Sequence, residues 1–125
     1  MLAAVVAVGA VLLTSSAGAT THVGTTCFGQ PATIVGTDGV DTLRGTDGND
    51  VVVAGDGSDI IFGGGGDDLI CGEGGDDIIF GAAGNDQIDG GPGNNSVDPG
   101  DGDDHVIGGD SSGSGQNLIA FLDAG

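Results

Sequence analysis

Between Gly36 and Ile107 the chain repeats itself every nine residues, and this phase leaves little freedom about what it can fold into. Written in nines it reads GTDGVDTLR, GTDGNDVVV, AGDGSDIIF, GGGGDDLIC, GEGGDDIIF, GAAGNDQID, GGPGNNSVD and PGDGDDHVI, eight copies without insertion or deletion. The fourth position is Gly in every copy. The sixth is Asp41, Asp50, Asp59, Asp68, Asp77, Asp86, Asn95 and Asp104, and the eighth is always Leu, Ile or Val. A recurring Gly marks a backbone angle or a close approach that a Cβ forbids. A lone aliphatic residue with variable neighbours marks a very short strand that turns one side chain inward. A carboxylate two residues before each strand supplies oxygen ligands at a fixed interval, the chemistry that hard divalent cations select.

Nine residues hold one turn and one strand, so two copies return the chain to its starting side and the coil is 18 residues long. Leu43, Ile61, Ile79 and Val97 are expected to stack in one ladder, facing Val52, Ile70, Ile88 and Val106 in another. Four coils about 4.8 Å apart make a stack only about 15–20 Å tall, with a thin core.

Composition narrows the function classes. With 125 residues there is room for one small domain. Nineteen acidic residues stand against one Arg and no Lys, giving a formal net charge of −18. Nucleic acid is thereby excluded as a partner, because neutralising phosphates requires Lys and Arg. Adsorption to an anionic membrane surface is disfavoured for the same reason. The apolar fraction of 38% is too high for a purely solvated acidic tail. Bound divalent cations are the simplest means of neutralising so many carboxylates.

The pattern resembles the glycine-rich nonapeptide G-G-x-G-x-D-x-U-x of RTX (haemolysin-type) calcium-binding repeats. The copy Gly63-Gly64-Gly65-Gly66-Asp67-Asp68-Leu69-Ile70-Cys71 fits at every defined position. The resemblance implies an all-β fold, a right-handed parallel β-roll (β-helix solenoid) of about eight nonapeptides. It also implies Ca²⁺ held between the turns of repeats i and i+2, by sixth-position side chains and glycine-turn carbonyls. Carried over, the ligands are Asp41, Asp50, Asp59, Asp68, Asp77, Asp86, Asn95 and Asp104, enough for up to about six ions. An interior carboxylate such as Asp68 would then serve a site above and a site below. The chain departs from the pattern with Ala54 and Pro99 at the first position, and with Thr37, Thr46, Glu73 and Ala82 at the second. Asn95 removes a charge, so weaker ion binding is expected around residues 91–101.

The flanks divide accordingly. Leu2–Leu13 is a short apolar run, followed by Ala17-Gly18-Ala19, and residues 1–19 read as a secretory signal peptide cleaved after Ala19. Residues 20–35 are expected to form an N-terminal cap, residues 36–107 the roll, and residues 108–125 a C-terminal cap or tail. There the apolar segment 117–122 is suited to covering the last coil. Two cysteines, Cys27 and Cys71, in an exported chain read as a disulfide. The alternative, a zinc site with His22 and His105, matches no zinc spacing.

Other motifs carry little. The only Glu, Glu73, has Phe62 eleven residues before it, so no EF-hand loop is present. Gly109-Asp110-Ser111-Ser112-Gly113 satisfies G-x-S-x-G but runs into Ser114-Gly115 rather than a helix, with both His residues upstream. His105 is expected to face solvent. Asp67-Asp68, Asp76-Asp77 and Asp103-Asp104 recur, whereas an active site appears once, so no enzyme activity is expected. The chain reads as a secreted calcium-binding structural or accessory module. The alternative is an acidic, largely disordered exported polyanion acting at a mineral or cell surface.

Overall fold

In the computed structural model, residues 25–108 are described, together with the backbone of Leu12–Ser15 and Leu118–Ile119. Among the described residues there is no helix. The short strands are β1 (Leu12–Ser15), β2 (Thr26–Cys27), β3 (Gln30–Pro31), β4 (Ile34–Val35), β5 (Asp41–Arg44), β6 (Val51–Asp56), β7 (Ile60–Gly65), β8 (Leu69–Gly74), β9 (Ile78–Ala83), β10 (Gln87–Asp89), β11 (Ser96–Asp101), β12 (His105–Ile107) and β13 (Leu118–Ile119).

Odd and even nonapeptides separate into two sheets, of order β1-β5-β7-β9-β11-β13 and β12-β10-β8-β6-β4. Within the roll every pairing is parallel and offset by one 18-residue coil: Leu43 lies beside Ile61, Ile61 beside Ile79, and Ile79 beside Val97. On the opposite sheet Val52, Ile70, Ile88 and Val106 follow the same rule. Eight nonapeptides therefore make about four turns of a parallel β-solenoid. The two aliphatic ladders meet to form the core, with Leu43, Val52, Ile61, Ile70, Ile79 and Ile88 all fully buried. Successive strand residues point to opposite faces, so each repeat turns its eighth-position aliphatic residue inward, joined in β6 by Ala54.

Ile34 extends the even ladder by one rung, pairing with Val52, so the solenoid begins before the first full nonapeptide. At the other end of the odd sheet, Leu118–Ile119 pairs in parallel with Ser96–Val97. Leu12–Ser15 lies antiparallel along Asp41–Arg44. The rest of the apolar N-terminal run, His22, the G-x-S-x-G stretch and the rest of segment 117–122 lie outside the described residues.

The outward faces differ. On the odd sheet the chain's one Arg stacks over an aromatic ladder: the Arg44 guanidinium sits 4.5 Å from the Phe62 ring centroid. Phe62 stacks in turn on Phe80, with centroids 5.2 Å apart. On the even sheet, the β2–β3 hairpin packs with Val53 and Cys71 against Ala32, Val51 and Leu69. Cys27 and Cys71 are disulfide-bonded there, joining the cap to the fourth repeat across 44 residues of sequence. His105 is exposed.

Candidate metal centre

Each site is built from one glycine-rich turn and the turn stacked on it. The fourth-position glycines show why no side chain is admitted. Gly57, Gly75, Gly84, Gly93 and Gly102 have φ between 122° and 134°, and a Cβ on any of them would strike the backbone of the coil 18 residues earlier. The turns can therefore stack closely enough for backbone and carboxylate to meet.

The sixth-position side chains all turn inward, and from Asp41 to Asn95 they are at most 5% exposed. Their neighbours along the column are not simply opposed charges. The Asp41 N–H donates to Asp59 Oδ1 at 2.7 Å, Asp50 to Asp68 at 2.8 Å, and Asp59 to Asp77 at 2.9 Å. Asp68, Asp77 and Asp86 donate in the same way to Asp86, Asn95 and Asp104, each at 2.9 Å. One oxygen each of Asp59, Asp68, Asp77, Asp86 and Asp104 is thus committed to the amide one coil back. The other, Oδ2, has no hydrogen-bond partner in Asp59, Asp68, Asp77 and Asp86, although it is fully buried. In these four carboxylates a single oxygen is therefore left without a protein partner. Among the described residues, Thr25 Oγ1 and Asp98 Oδ1 are also buried without partners, and both lie outside this column.

An orphaned buried carboxylate oxygen is costly unless something positive meets it. Burial pushes the Asp68 carboxyl up to about 7; the Asp50 amide acts in the opposite direction, and the charges of Asp86 and Asp50 add to the rise. Burial likewise lifts Asp77 to about 7 and Asp59 to about 6, and raises Asp86.

Main-chain oxygens converge on the same places. A Cβ built on Gly63 would lie 2.6 Å from Asp68 Oδ2 and 2.7 Å from Gly81 O. On Gly72 it would lie 2.6 Å from Asp77 Oδ2 and 2.7 Å from Gly90 O, and on Gly81 it would meet Asp86 Oδ2 and Pro99 O. At the turn of Asp59 the first residue is Ala54, whose methyl is buried in the core. Among the described residues no three His, Cys, Asp or Glu side chains converge on one point. A cation here must therefore combine single carboxylates with carbonyls. Such an all-oxygen set suits Ca²⁺, which accepts many oxygens in flexible geometry, and it offers no nitrogen or sulfur for a softer metal.

Sequence reasoning misses a second ladder, at the fifth position. Asn49 Oδ1 accepts the Asp67 N–H at 2.8 Å, Asp67 Oδ1 accepts from Asn85, and Asn85 Oδ1 accepts from Asp103, both at 2.9 Å. On the odd side Asp76 Oδ1 accepts from Asn94 at 2.9 Å. These side chains reach one coil forward where the sixth-position carboxylates reach one coil back. A signal for it exists, since six of the eight fifth positions are Asn or Asp.

A parallel β-roll with buried carboxylate columns and stacked glycine turns defines a calcium-binding repeat module. The chain matches the family described as RTX calcium-binding nonapeptide repeat (4 copies) over residues 35–70, 72–106 and 88–117, and it belongs to that family. Comparison with curated proteins and with solved structures gave no match.

Proposed function

We propose that this chain is a secreted, non-catalytic module whose roll is completed by calcium. The observation that carries the reading is the set of buried, unpartnered Oδ2 atoms of Asp59, Asp68, Asp77 and Asp86, three of them beside a main-chain carbonyl of the next coil. These four carboxylates, with Gly81, Gly90 and Pro99 carbonyls, would hold the ions. Ca²⁺ supplies there the positive charge that the chain, with one Arg engaged on the outer face, cannot provide. Without it the buried carboxylates must be protonated or exposed, and the thin core is opposed by their desolvation. The same recurrence that serves ion binding argues against catalysis, since no turn carries a distinct acid, base or nucleophile set.

Export is supported by the apolar Leu2–Leu13 run with its Ala17-Gly18-Ala19 signature, and by the disulfide, a bond that persists in oxidising compartments. Cleavage after Ala19 would remove β1 and free the Asp41–Arg44 edge of the odd sheet.

The test is a circular dichroism titration of metal-stripped mature chain. Extracellular calcium modules bind at about 10⁻⁴–10⁻³ M, so β signal should appear over that range and vanish with chelator. Magnesium should not substitute, because it demands near-octahedral geometry and keeps its waters. A complete β spectrum in excess chelator at neutral pH would refute calcium-coupled folding.

A further inference from the structure

The eight turns are not equivalent, and the difference lies in what meets the second carboxylate oxygen. In the first repeat Asp41 Oδ2 accepts the Thr37 N–H at 2.6 Å and the Thr37 hydroxyl at 2.9 Å. In the second, Asp50 Oδ2 accepts from the Thr46 N–H and hydroxyl at the same two distances. Both threonines occupy the second position of their repeat. In the next four repeats that position is Gly55, Gly64, Glu73 and Ala82, with φ of 106°, 111°, 70° and 84°. A β-branched residue strongly resists this left-handed backbone, and neither Thr37 nor Thr46 adopts it. In these four repeats, where the second residue is left-handed, the carboxylate keeps its orphaned oxygen.

The seventh repeat is closed by other means. Gly91 is left-handed, with φ 72°, but the sixth residue is Asn95. Its Oδ1 accepts the Asp77 N–H as a carboxylate would. Its Nδ2 donates to Gly90 O at 2.7 Å and Gly91 O at 2.8 Å, placing N–H groups against the turn's own carbonyls. An amide nitrogen there does locally what a cation does elsewhere.

We infer that the chain divides its turns into calcium-taking ones, at Asp59, Asp68, Asp77 and Asp86, and self-closed ones, in which Thr37, Thr46 and Asn95 supply the missing partner from the chain itself. This rests on the calcium reading. Among the first seven turns, calcium-independent ones thus flank a calcium-dependent centre; Asp104 of the eighth, half-buried and accepting the Asp86 N–H, belongs to neither set. Binding saturates at about four ions rather than six. Asparagine in this column acts as a built-in substitute for calcium, not as a weak ligand.

The experiment counts bound calcium by equilibrium dialysis and by native mass spectrometry on the mature, disulfide-bonded chain, alongside the calcium midpoint of folding by circular dichroism. Asn95→Asp should add one ion and raise the calcium needed to fold, because it replaces a satisfied amide by an orphaned carboxylate. Asp68→Asn should remove one ion yet lower the calcium midpoint, since its amide can bond Gly63 O and Gly64 O as Asn95 bonds Gly90 O and Gly91 O. Loss of a simple ligand would raise that midpoint instead. Asp68→Ala supplies that comparison. A wild-type count of six or more, with Asn95→Asp leaving it unchanged, overturns the division but leaves the calcium reading standing. So does a raised midpoint in Asp68→Asn equal to that of Asp68→Ala. A chain that binds no calcium at all removes both.

Discussion

Ala82 offers a test of how backbone strain and calcium demand are linked. It sits at φ 84°, in the second position of the sixth repeat, with its side chain exposed. The left-handed region costs a non-glycine residue about 1–2 kcal/mol, and here no buried contact of the methyl compensates. Ala82→Gly should therefore stabilise the folded roll by about 1 kcal/mol. If the folded state alone binds about four ions, as proposed, that gain is shared among them through mass action. One kcal/mol spread over four ions corresponds to a calcium midpoint about 1.5-fold lower, taking RT as about 0.59 kcal/mol. Adding Glu73→Gly, which relieves φ 70° in the fifth repeat, should bring the shift to about two-fold, helped by the loss of one negative charge. Gly64→Ala is the opposite perturbation: φ is 111° and the added Cβ would strike Thr46 O, so the midpoint should rise by more than two-fold or folding should fail. The assay is the calcium titration by circular dichroism at one ionic strength, with a chelator baseline for each variant. A midpoint in Ala82→Gly equal to or above wild type would refute the claim that this turn is strained in the calcium-ready state.

Acid should partly replace calcium. Burial holds Asp59 near 6 and Asp68 and Asp77 near 7 in the folded chain, against an ordinary value of 3.8, so folding favours the protonated form. Their contribution to the stability of the metal-free roll is therefore greatest below about pH 4 and is lost as pH rises through 6 to 7. Metal-free chain should show more β signal at pH 4.5 than at pH 7.5, and calcium midpoints should rise as pH falls from 7.5 to 5.5; a metal-free spectrum independent of pH would contradict this. Reducing Cys27–Cys71 frees the cap from the fourth repeat and removes a closure of 44 residues, worth about 4 kcal/mol on the chain-entropy model. The reduced chain or Cys71→Ser should need several-fold more calcium to fold, and the native mature protein should titrate no free thiol.

Much of this architecture is legible in the amino-acid sequence, for a physical reason. A strand alternates its side chains with period two and a stacked coil repeats its register without slippage, so one aliphatic residue every nine is enough to place Leu43 beside Ile61 and Val52 beside Ile70. The invariant fourth-position glycines announce a close approach, and the Gly57, Gly75 and Gly84 backbones show it. The chemistry of the column is legible too, since buried recurring carboxylates require a counter-charge that the composition lacks. What sequence alone does not decide is which oxygen of each carboxylate is free. That depends on an amide 18 residues away, on the backbone angle at the second position, and on whether the side chain ends in oxygen or nitrogen. Thr37 and Thr46 look in sequence like poor substitutes for Gly, and Asn95 like a weakened ligand. Only the folded turn shows that the threonines satisfy Asp41 and Asp50, and that the Asn95 amide bonds the carbonyls beside it. Periodicity is a property of the chain, whereas the satisfaction of a buried polar atom is a property of everything packed around it.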